Sequence, residues 1–192
     1  MTHAYTTRFD AAVALTVDAF RDRFRKSSTT PYIAHLFSVC ALVAEQGGDE
    51  DQMIAALLHD YLEDIEGSSA DELRASFGER VTAMVLGLSD TTSPGAKEDW
   101  WLRKRRYIDA MRAHSPDVRL IATADKLHNC RAVLDSVDQE GARAFDRFTT
   151  GREGTVWYYR QVANALADGW SHPLLDELLR AVTTLEEVAG PG

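Results

Sequence analysis

Apolar residues recur every three to four positions along most of the chain, and the strict alternation of half-buried strands is nearly absent. This periodicity predicts helices over about 9–26, 31–46, 50–65, 69–76, 78–89, 97–114, 117–138, 141–148, 153–168 and 173–188. The punctuation agrees. Thr30-Pro31 offers an N-cap and a proline at the first helical position, Gly47-Gly48 a helix end, and Ser69 with Glu72 a capping box. Ser93-Pro94-Gly95 reads as a turn, and Ser115-Pro116 as the start of another helix. No repeat or low-complexity linker interrupts the series. The expectation is an all-α fold, a bundle of helices in one domain spanning residues 1–192 with its core at about 20–170.

The segment 50–65 departs from the ordinary pattern. Its apolar start, IAALL, is followed directly by His59, Asp60, Glu63 and Asp64. On a continuous helix at ~100° per residue these four share one arc of about 140°, with an apolar arc behind them. Carboxylates so spaced repel one another, and no basic residue lies between Met53 and Ser69 to compensate. A solvated acidic face would explain the pattern; so would an arrangement around a cation.

Composition narrows the setting without choosing. The 192 residues suit one domain with a sizeable core, and 45% hydrophobic with 27% charged residues is an ordinary globular balance. A net charge of -9 argues against broad electrostatic binding to nucleic acid, while leaving room for a small anionic ligand at a local basic cluster. No apolar run has the length of a membrane span, and MTHAYTTRFD lacks the order of a secretory signal. Cys40 and Cys130 read as reduced thiols of a cytoplasmic protein.

Two other helices carry isolated polar residues in apolar surroundings: His35 in PYIAHLFSVC, and Asp125 in RLIATADKLHN. Each taken alone is an ordinary core or boundary residue. Together with His59 and Asp60 they make two imidazoles and two carboxylates, donors suited to manganese, iron or zinc. Helices packed side by side can bring such donors to one ion.

The order His35, His59-Asp60, Asp125 resembles that of the HD superfamily of metal-dependent phosphohydrolases. The local wording is narrower. RK before PYIAH, then AALLHDYLED, then ADKLHN, is similar to the hydrolase domain of RelA/SpoT-type alarmone enzymes and their stand-alone small relatives. The resemblance implies one divalent ion, manganese in first place, held by His35, His59, Asp60 and Asp125. It implies that Glu63 and Asp64 orient or deprotonate the attacking water. Arg25 would pack on guanine with Lys26 close by, Asn129 would hold the nucleotide, and Lys104 and Arg105 would meet phosphate. Tyr158 and Tyr159 read as core first and as ligand contacts second. The implied reaction is removal of the 3′-pyrophosphate of (p)ppGpp by a stand-alone hydrolase without synthetase or regulatory domains. Another HD phosphohydrolase, acting on a different nucleotide or phosphate ester, would share the metal ligands. A non-catalytic metal-binding sensor would have no chemical need for Glu63 and Asp64. A monomer and a homo-oligomer fit these helices equally.

Overall fold

The computed structural model describes residues 5–26, 28–90 and 99–190. The turn expected at 93–95 and the start of the helix expected from 97 lie outside these residues. The all-α expectation is met: among the described residues the elements are helical, apart from an isolated antiparallel bridge between Phe24 and Pro31. The chain forms two compact units, 1–98 and 99–192.

The first unit contains α1 (Thr7–Ala19), α2 (Ile33–Glu45), α3 (Glu50–Leu57), α4 (Tyr61–Asp64), α5 (Ala70–Phe77) and α6 (Glu79–Leu88). α3 is its centre and packs on α1, α2 and α6. Ile54, Ala55, Ala56, Leu57 and Leu58 are all fully buried, as a helix surrounded by others requires. Asp49 caps α3 in a reciprocal capping box with Gln52, and Gly47, at φ +79°, turns the chain out of α2. The Gly-Gly-Asp-Glu run is thus a helix end followed by a helix start.

Two expected helices are corrected here. The first stops at Ala19, not at about 26, and Thr30-Pro31 does not cap the second. Pro31 pushes Thr30 toward extended backbone. The segment between closes on itself through Arg25 N–H to Thr30 O (2.9 Å) and Tyr32 N–H to Arg23 O (2.9 Å). Nor is 50–65 one helix. Leu58 (φ -107°, ψ 9°) and Asp60 (φ -96°, ψ 1°) leave helical geometry, so His59 and Asp60 occupy a turn between α3 and α4.

The second unit contains α7 (Trp100–Met111), α8 (Pro116–Glu140), a 3-10 segment (Gly141–Arg147), α9 (Gly151–Ala167) and α10 (Pro173–Ala189). α8 packs on α9, α10 and the 3-10 segment, and α7 packs on α9. The expected α-helix at 141–148 is therefore the tighter form. Ser115 caps α8 with Pro116 at its first position, as anticipated. Along α10, Leu174, Leu178, Val182 and Leu185 repeat at helical spacing and are buried. The long α8 carries Ile121, Ala124, Leu127 and Cys130 into the same core.

Candidate metal centre

The break between α3 and α4 is what builds the site in the first unit. His35, on α2, is 1% exposed, and His59, in the turn, is 3% exposed. Their rings meet edge to face with centroids 5.2 Å apart. Both Nε2 atoms approach the same oxygen, Asp60 Oδ2, at 3.8 Å from His35 and 3.1 Å from His59. Three of the expected ligands are thus gathered by one helix and one turn.

The tautomer of His59 follows from its other nitrogen. Nδ1 lies 2.8 Å from the carbonyl oxygen of Ala56, an atom that only accepts, so Nδ1 carries the proton. In the neutral ring Nε2 then presents a lone pair to a carboxylate oxygen 3.1 Å away. Two lone-pair atoms this close repel, and a cation or shared proton removes the repulsion. The donor set, two imidazoles and a carboxylate, fits a divalent transition ion, and a second-nitrogen bond to backbone is the usual support for a ligand histidine.

The carboxylates one turn later are placed differently from one another. Glu63 accepts a hydrogen bond from the backbone N–H of Asp90 at 3.1 Å. Asp64 lies against Arg23, whose guanidinium donates to the Asp64 carbonyl at 3.0 Å. Although Asp64 is exposed as a residue, loss of hydration around its carboxyl, with the Asp60 charge, raises its pKa above the usual carboxylate range. As residues both are exposed, whereas His59 is buried and Asp60 half-buried.

Arg25 sits with its guanidinium 5.5 Å from the centroid of the Tyr32 ring, and Lys26 follows on the exposed turn. Tyr32 escaped the sequence analysis. Its hydroxyl donates to Asp60 Oδ2 at 2.6 Å, its ring stacks on Phe20 (5.5 Å, 11°) and meets the edge of His35 (5.6 Å, 76°). The available signal was position: an aromatic three residues before the histidine of PYIAH, where α2 begins.

In the second unit, Asp125 is a buried carboxylate on α8. Its Oδ1 accepts from Asn129 Nδ2 at 2.5 Å and its Oδ2 from Lys126 Nζ at 2.6 Å. The expected nucleotide residue Asn129 is therefore joined to the expected ligand Asp125. Burial disfavours the Lys126 ammonium, but Asp125 and the flanking Tyr107 and Tyr158 hold its pKa well above the ordinary value. Lys104 Nζ lies 5.0 Å from the Tyr158 ring and Lys126 Nζ 5.1 Å from the Tyr107 ring, so two ammonium groups share one aromatic seat. Arg105 does not join them. It faces a shallow concavity of about 520 Å³ with Trp101, Glu153 and Trp157. Tyr159 is core, as expected, while half-buried Tyr158 serves as the floor beneath Lys104.

Comparison with known proteins agrees with this picture. The guanosine-3′,5′-bis(diphosphate) 3′-pyrophosphohydrolase of Aquifex aeolicus is 35% identical over 109 residues, 57% of this chain and 15% of that protein. The human guanosine-3′,5′-bis(diphosphate) 3′-pyrophosphohydrolase MESH1 is 33% identical over 113 residues, 58% of this chain and 60% of its own. The chain thus matches less than two thirds of either relative's length. A metazoan SpoT orthologue reported to hydrolyse ppGpp has the same fold, with a TM-score of 0.81 at 24% identity, covering 95% of this chain and 98% of that one. With residues 12–155 matched to the HD domain, well over half its length, the chain belongs to the HD-domain family.

Proposed function

We propose that the protein is a metal-dependent phosphohydrolase that removes pyrophosphate from the 3′ position of (p)ppGpp. The observation that carries this reading is the convergence of His35 and His59 on Asp60 Oδ2, beside two further carboxylates in the next turn. The names of the related proteins supply the substrate class. The HD match runs from 12 to 155 and so supports reading 1–192 as one HD-type domain.

One divalent cation, which we take to be manganese, would be held by His35, His59 and Asp60, with Asp125 as the fourth ligand. Bound there, it would supply Lewis-acid polarisation of the phosphoryl group. The chain's own residues then have separate tasks. Glu63 and Asp64 accept the proton of the attacking water. Lys104 and Arg105 are assigned to the phosphates, where developing negative charge needs a cationic partner, and Lys126 would add to them. Arg25 packs on the base with Lys26 beside it, and Asn129 orients both Asp125 and the nucleotide. Free, buried Cys40 and Cys130 suit a reducing compartment such as the cytoplasm.

The test is substrate profiling. Protein reloaded with manganese is incubated with ppGpp, GTP, dNTPs and nucleoside monophosphates in parallel. Pyrophosphate release from ppGpp is the expected result. Turnover of another nucleotide alone makes this a different HD phosphohydrolase, and turnover of none makes it a sensor. Glu63→Gln should lower kcat by about 100-fold or more with metal content unchanged.

A further inference from the structure

The residue that ties the expected nucleotide strap to the expected metal ligand is one that neither chemistry nominally requires. Tyr32 ends the strap that carries Arg25, and its side chain lies half-buried against His35. Its backbone is held by the bond to Arg23 O, and its ring is fixed by the fully buried Phe20 stacked against it and the His35 edge. So constrained, the phenol has little choice of direction, and it points at a carboxylate. The 2.6 Å bond to Asp60 Oδ2 is short, as bonds to ionised acceptors are. The phenolic hydrogen is thus committed to the carboxylate assigned to the ion.

A carboxylate ligand on a turn needs such a support. Asp60 is outside regular helix, and its rotamer is free to swing away from the histidines unless something opposes it. Partners of this kind fix ligand orientation, and their loss typically costs 10–100-fold in metal affinity.

We propose that Tyr32 is a positioning residue of the metal centre: its hydroxyl holds Asp60 in the ligand orientation, and its ring links that orientation to the seat of Arg25. This rests on the reading of Asp60 as a ligand. A tyrosine that only filled space would be replaced by phenylalanine without consequence for the ion. Here the hydroxyl and the ring have separable effects: the first acts on metal affinity, the second on where Arg25 stands.

The experiment uses the full chain and Mn²⁺ alone as probe, with affinity measured by competition against a chelating dye and the ion's environment read by electron paramagnetic resonance. Tyr32→Phe should weaken Mn²⁺ binding by about 10-fold or more and alter the resonance line shape, with unfolding in the metal-free state changed little. In the turnover assay its KM at saturating metal should stay near that of the parent. Tyr32→Leu, which also removes the ring, should weaken the ion further and raise KM. Asp51→Ala, at a carboxylate paired with Arg8 and Arg80, should leave the ion unchanged. Parental affinity and line shape in Tyr32→Phe would overturn the proposal. If Asp60→Ala also binds Mn²⁺ like the parent, the ligand reading has failed instead, so the two failures are distinguishable.

Discussion

Arg119 shows how much one side chain can organise. It is buried on α8, and its guanidinium donates to the carbonyl oxygens of His114 and Leu166, each at 3.1 Å, and to those of Asp168 and Arg112. These carbonyls belong to the ends of α7 and α9 and the turns after them, where helical acceptors lack partners. Removing the donor leaves the buried Leu166 carbonyl and three partly buried ones unmet. Arg119→Met should therefore destabilise the protein by about 3 kcal/mol in urea unfolding, despite preserving most of the volume. A loss under 1 kcal/mol would mean water replaces the guanidinium freely. From the sequence, Arg119 is indistinguishable from any arginine near a helix start. The same is true of Tyr32: PYIAH displays the residue, but only the folded ring shows that its hydroxyl reaches Asp60. His35, His59, Asp60 and Asp125 were legible because polar groups in apolar helices are costly without a purpose.

Helix identity was readable and helix ends were less so. Local caps such as Ser115-Pro116 and Gly47 act within a few residues, so they can be read in place. The break at Leu58–Asp60 has no glycine or proline to announce it. It is imposed by the burial of Leu58 and the gathering of His59 and Asp60 toward α2, which are long-range demands. Pairing between α9 and α10 offers a test at this level. Arg160 meets Glu186 in a two-pronged bond, which lowers the Glu186 pKa against a smaller opposing effect of burial. Because the folded pKa is depressed, the stabilisation is complete above the unfolded value of about 4.5 and is lost as pH falls through the folded one. Both groups are partly exposed, so the amount is a few tenths of a kcal/mol. Glu186→Gln should flatten the stability profile below pH ~4.5 by that amount and leave neutral pH behaviour otherwise parallel. An unchanged acid slope would show that the bond does not persist in solution.

The whole chain is acidic, with a net charge of -9, yet its second unit places Lys104 and Lys126 over a shared pair of tyrosines. A bound cation would act on the molecule globally by stabilising only the folded state. At about 100 times its Kd, Mn²⁺ should add roughly 2.7 kcal/mol. For a chain of this size that is a rise in Tm of roughly 5–10 °C, reversed by a chelator. A Tm indifferent to both would count against the metal centre. Among the described residues no helix is long and apolar enough to cross a membrane, in keeping with the absence of long apolar runs. Residue types and their spacing were sufficient for the helical class, the Ser115-Pro116 cap and the family, because periodicity and polar intrusion are properties of neighbours along the chain. The turn that aims His59 and Asp60, the tyrosine that steadies them and the separation of Lys104 from Arg105 arose only on folding, because each depends on groups far apart in sequence meeting at distances of a few ångströms.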